Sequence, residues 1–124
     1  MEQKFYICKH CKQIVAVVRE TGAPLMCCGE EMKEIKPGTT DAAVEKHVPQ
    51  YEVKDNKVFV TVGSVLHPMT EPHYIEWISI QTNLGNQRKV LKPTDEPRAV
   101  FALLDGEKVE AVYAYCNLHS LWKN

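Results

Sequence analysis

Apolar and β-branched residues along this chain fall into short runs, and turn residues bound most of them. Ile14 to Val18 reads as a strand, followed by turn chemistry at Thr21-Gly22-Ala23-Pro24. Tyr51-Glu52-Val53 and Lys57-Val58-Phe59-Val60-Thr61-Val62 flank Asp55-Asn56 and predict a hairpin. Tyr74 to Thr82 is aromatic and β-branched, then broken at Asn83-Leu84-Gly85-Asn86. Arg98 to Leu104 and Val109 to Tyr115 flank Asp105-Gly106-Glu107, a second hairpin signal. One short helical turn is expected at Asp41-Ala42-Ala43-Val44-Glu45, capped by Thr39 or Thr40 and stopped by Pro49. The pattern predicts a mainly β chain, with an antiparallel sandwich over its larger part.

Pro37-Gly38-Thr39-Thr40 reads as a linker. It divides the chain into a unit over residues 1–36 and a domain over 37–124. The first unit has few large apolar residues, so a metal would have to supply much of its folding energy. Acids and bases are mixed along the chain and the formal net charge is −1. That balance argues against a nucleic-acid groove or an anionic membrane surface. No apolar run is long enough to span a bilayer. The N-terminus carries no apolar signal region, so a cytoplasmic protein is expected.

Cysteine spacing adds chemistry. Cys8-x-x-Cys11 and the adjacent pair Cys27-Cys28 form a four-thiolate signal. In a reducing cytosol such clustered thiols read as metal ligands rather than disulfides. On spacing alone the site suits a structural zinc or an iron. Adjacent cysteines cannot present both sulfurs as a relaxed knuckle does, so a distorted tetrahedron is expected. His10, inside the knuckle, reads as an exposed loop histidine.

One cysteine remains. Cys116 lies three residues before His119, and His47, His67 and His73 complete the histidines outside the first unit. All four histidines lie near turns or strand ends, where loops at one end of a sandwich could converge. A single thiolate with several imidazoles is a ligand set for redox-active iron or copper. Five ligands would leave a sixth octahedral position open to a small oxygen species. Glu45 and Lys46 directly precede His47. A lysine there would attract an anionic substrate, and a carboxylate could occupy the open position.

These residues carry a family resemblance. Cys8-Lys9-His10-Cys11, Cys27-Cys28-Gly29, Glu45-Lys46-His47-Val48-Pro49, Val62-Gly63-Ser64-Val65-Leu66-His67-Pro68-Met69, His73-Tyr74-Ile75-Glu76-Trp77 and Cys116-Asn117-Leu118-His119 occur in order over nearly the full length. The chain resembles desulfoferrodoxin, the two-iron class of superoxide reductase. The resemblance implies a desulforedoxin-like first unit followed by an immunoglobulin-like β-sandwich similar to neelaredoxin. It implies two irons per chain. Cys8, Cys11, Cys27 and Cys28 would hold one, where zinc can substitute. His47, His67, His73 and His119 would be equatorial ligands of the other, with Cys116 axial. His119 would bind through Nδ1 and the other three through Nε2. Lys46 would draw in superoxide and Glu45 would cap the oxidised iron. The implied reaction is reduction of superoxide to hydrogen peroxide, with rubredoxin or a similar carrier as donor and a homodimer as the assembly. Leu66 and Ser120 depart from the proline and glycine often found in the family. Two other readings stay open on sequence: a pure electron carrier and a redox-silent zinc module.

Overall fold

In the computed structural model, residues 2–124 are described, and the chain forms two compact units, Met1–Lys36 and Pro37–Asn124. In the first unit, β1 (Phe5–Ile7) pairs antiparallel with β2 (Ile14–Ala16) and with β5 (Lys33–Glu34). A two-residue ribbon, β3 (Met26–Cys27) with β4 (Glu30–Glu31), carries the second cysteine pair. The buried apolar residues of this unit are few: Phe5, Cys8, Met32 and Ile35. So small a core leaves bound metal as the natural source of the unit's stability.

The second unit opens with a single helical turn, α1 (Val44–His47). Its strands are β6 (Pro49–Lys54), β7 (Lys57–Val62), β8 (Ile75–Thr82), β9 (Gly85–Val90), β10 (Arg98–Ala102), β11 (Val109–Cys116) and β12 (Ser120–Lys123). They form a three-stranded sheet, β10-β7-β6, and a four-stranded sheet, β12-β11-β8-β9, with every pairing antiparallel. Strand β7 alternates, with Val58, Val60 and Val62 buried between outward residues. These valines meet Phe101 of β10, Ile78 and Ile80 of β8, and Val112, Ala114 and Cys116 of β11 in one core. The two inner faces therefore pack against each other as a sandwich. Seven strands in a three-plus-four arrangement are compatible with the immunoglobulin-like domain that the resemblance implies.

The β6–β7 hairpin forms as the sequence predicts. Asp55 and Asn56 both take positive φ, 52° and 58°, the backbone of a two-residue hairpin turn. The second expected hairpin does not form. β10 pairs with β7 and β11 pairs with β8, so Asp105-Gly106-Glu107 carries the chain from one sheet to the other. Turn residues record a reversal of direction, but not which sheet receives the next strand. The helical turn also lies later than expected, with Ala43 at its start and no side-chain cap. Strand β9 went unread because its six residues are almost all polar and exposed. Its Lys89 and Gln87 side chains donate to the carbonyls of Val100 and Ala102 on β10, covering that strand's open edge.

Candidate metal centres

The thiol sulfurs of Cys8, Cys11, Cys27 and Cys28 lie within 4.8 Å of one another. Cys11 Sγ is 3.6 Å from Cys27 Sγ, and Cys27 Sγ is 4.0 Å from Cys28 Sγ. Two neighbours in sequence aim at one point because Cys28 takes φ +52°, a left-handed conformation uncommon for residues with a side chain. Backbone N–H groups of the knuckle favour the Cys8 thiolate and bring its pKa down to about 6. Hydrogen bonding to Cys8 and Cys11 instead favours the protonated Cys27 and pushes it up to about 12. Packed thiols that cannot all ionise together call for a cation among them. His10 is exposed and pairs with Glu30 at 3.0 Å, alongside Lys9, so it is a loop histidine with a surface partner.

The second cluster gathers at one end of the sandwich. His47 comes from α1, His67 and His73 from the loop between β7 and β8, Cys116 from the end of β11, and His119 from the turn into β12. The ligand atoms of His47, His67, His73 and Cys116 lie within 4.8 Å of one another. His119 joins them through Nδ1, 3.1 Å from His47 Nε2 and 3.9 Å from Cys116 Sγ. The four rings form a square. Successive centroids are 4.7 Å (His47–His67), 4.7 Å (His67–His73), 5.1 Å (His73–His119) and 4.9 Å (His119–His47) apart, with planes crossed at 78° to 88°. The diagonal His47–His73 is longer, at 6.5 Å.

The protonation of this square can be read from its outer contacts. His47 Nδ1 donates to the Ala43 carbonyl at 2.7 Å, and His67 Nδ1 donates to the Pro68 carbonyl at 2.7 Å. Each proton is thereby fixed on Nδ1, and each Nε2 presents a lone pair. Those two lone pairs face one another at 3.2 Å. His73 Nε2 is buried with no hydrogen-bond partner. Converging acceptors and an orphaned buried nitrogen are costly without a cation, so the residues fit a bound metal. Four borderline nitrogens and one soft sulfur suit a redox-active transition metal.

Electrostatics agree with that donor set. Burial lowers the pKa of His47 and His73, and it brings His67 down to about 4, despite the Pro68 carbonyl. Neutral imidazoles are the form a metal needs. Burial also pushes the Cys116 thiol up, while N–H groups of Leu118 and His119 favour its thiolate. A bound cation would reverse the burial effect and hold the sulfur ionised. The metal-free second unit should lose stability on acidification. The unfolded His67 takes its proton near pH 6.5 and the folded one only near 4. Between these values the unfolded chain binds more protons, so stability falls as pH drops through the window. Urea midpoints of metal-free protein at stepped pH will show the decline; a flat midpoint from 6.5 to 4 would contradict it.

Several supporting residues carried no signal in the sequence pattern. Asn117 accepts from Tyr74 N–H at 2.9 Å and donates to the Pro72 carbonyl at 3.0 Å, tying the His73 loop to the Cys116–His119 turn. Trp122 donates to the His119 carbonyl at 2.9 Å and lies 4.9 Å from the His47 ring. A bulge at Glu76 pairs Cys116 with Ile75 rather than Glu76, and bulges commonly re-aim side chains beside a site. Ser120 takes φ +65°, the left-handed shape that explains why glycine suits this position. Glu45 and Lys46 are exposed on α1. The Lys46 charge acts on both His47 and His73, lowering both, and the Glu45 charge acts on His47.

The fold and the two clusters define a mainly β protein with one four-thiolate cluster and one imidazole–thiolate cluster, each fit to hold a metal. Comparison with known proteins agrees. The family described as Desulfoferrodoxin matches residues 39–124, and the Desulfoferrodoxin N-terminal domain matches residues 1–35. The chain is 50% identical over 119 residues to a desulfoferrodoxin homolog of Archaeoglobus fulgidus, covering 96% of this chain and 94% of the relative. It is 48% identical over 124 residues to desulfoferrodoxin of Nitratidesulfovibrio vulgaris, covering 98% and 95%. The superoxide reductase of Treponema pallidum superposes with TM-score 0.85 at 37% identity, covering 100% of this chain and 99% of that one. The chain belongs to the desulfoferrodoxin family.

Proposed function

We propose that this protein is a superoxide reductase, with residues 37–124 as the catalytic domain and residues 1–36 as an accessory iron unit. The observation that supports it best is the square of four imidazoles with Cys116 beside it and Lys46 within electrostatic reach. His47, His67, His73, His119 and Cys116 hold one iron, and Cys8, Cys11, Cys27 and Cys28 hold the other. An iron held in the imidazole–thiolate centre would supply the one electron that, with two protons, converts superoxide to hydrogen peroxide.

The chain's own residues do the rest. Lys46 draws the anion toward the histidine square and balances negative charge that develops on it. Glu45, one residue earlier, closes the open side when substrate is absent. The Ala43 and Pro68 carbonyls keep His47 and His67 in the tautomer with the proton on Nδ1 and a free lone pair on Nε2. The Leu118 and His119 amides steady the Cys116 sulfur. An external carrier such as rubredoxin returns the electron, and the protein works in the cytoplasm as a homodimer. Zinc can take the place of iron among the four thiolates.

Reduced, iron-loaded protein exposed to a superoxide flux should develop the absorption of the oxidised second centre. A second centre that stays reduced would remove the reductase reading and leave the electron carrier. No helix among the described residues is long and apolar enough to cross a membrane.

A further inference from the structure

We propose that Gly63, with Ser64 and Val65, clamps the α1 turn and so sets where Glu45 and Lys46 stand over the histidine square. This rests on the proposed role of Lys46. The need for a clamp begins in the sequence. A helical Glu45 carbonyl would be paired by the N–H of residue 49, but residue 49 is proline and has none. The turn therefore has an unsatisfied carbonyl at the residue beside Lys46. The loop after β7 supplies the missing donors. Val65 N–H reaches Glu45 O at 2.9 Å, and the Ser64 hydroxyl reaches the same oxygen at 3.2 Å.

Gly63 makes that approach possible. A Cβ placed on it would lie 2.7 Å from Glu45 O, 2.9 Å from Val48 O and 3.0 Å from the Lys46 carbonyl carbon. All three are backbone atoms of the turn or of Val48, the residue that caps it, so no side chain can move aside to relieve the clash. The same loop continues directly to His67, whose N–H bonds the Val62 carbonyl at 2.8 Å. One short segment thus fixes a ligand of the square at one end and the Glu45–Lys46 backbone at the other. Gly63 is a positioning residue: it touches neither substrate nor metal and acts through Lys46.

The test uses iron-loaded protein and two readouts. Hydrogen exchange by mass spectrometry reports the amides of 43–48 and 63–66, with 112–116 as an internal reference. Gly63→Ala should speed exchange in both segments by about tenfold or more and leave the reference unchanged. Ser64→Ala, a milder change, should speed it about threefold, and Ser64→Thr should restore it. The second readout is the rate with superoxide per bound iron, in the parent and in Lys46→Ala. Gly63→Ala should slow the parent severalfold and have little further effect once Lys46 is gone. Unchanged exchange in both Gly63→Ala and Ser64→Ala would overturn the clamp, as would an equal slowing in both backgrounds. A parent with no superoxide reaction at all would instead defeat the functional reading, and exchange would still decide the clamp.

Discussion

Cys116→Ser should abolish the visible absorption of the second centre and cut the rate with superoxide by at least about a hundredfold, an effect no smaller than the largest losses at supporting positions around metal sites. The reason lies in the sulfur's setting. Cys116 is fully buried at the end of β11, a member of the core paired across to Ile75, and its sulfur lies 3.9 Å from His119 Nδ1. A serine hydroxyl fits the space but remains protonated near neutral pH. It is also a hard donor that gives the metal no electron density comparable to a thiolate. The four histidines would still converge, so some metal should remain bound. Cys8→Ser should behave oppositely, disturbing the four-thiolate absorption and sparing that of the second centre. Metal analysis with visible spectra of both variants checks this; a second-centre band that survives Cys116→Ser would contradict it.

Lys46→Ala should keep both metals and their spectra yet react with superoxide about ten- to a hundredfold more slowly, within the range that focused charge adds to association rates. Lys46 is exposed on α1 and makes no ion pair among the described residues. Its charge is felt at His47 and His73. An ammonium that is neither paired nor buried can serve an incoming anion. The loss should be largest at low ionic strength and shrink as salt screens the attraction. Pulse radiolysis across a salt series gives both quantities. An unchanged rate, or a salt dependence equal to that of the parent, would remove the steering role.

How far the sequence could be read depended on the kind of contact involved. Candidate metal donors are few and chemically loud, so Cys8, Cys11, Cys27, Cys28 and the histidines with Cys116 stand out by spacing. Strands β7, β8, β10 and β11 were legible because they carry the core and combine β-branched with aromatic residues. Strand β9 was not, because its exposed polar residues serve an edge rather than a core. The sheet change after β10 was also hidden, since the same Asp-Gly turn can join strands within one sheet or across two. The supporting contacts were the least visible. Nothing local to Asn117 announces its bonds to Tyr74 and Pro72. Nothing in the local pattern around Gly63 shows that backbone atoms of α1 lie within 3.0 Å of where its side chain would be. Such roles depend on segments brought together by folding, and no local pattern records them.

The most direct test of the account is the stoichiometry of the reaction. Reduced, iron-loaded protein should yield one hydrogen peroxide for every superoxide consumed and release no oxygen, measured by peroxide and oxygen electrodes during a controlled flux. One peroxide for every two superoxides, with oxygen released, would mean dismutation and would contradict the reductase reading.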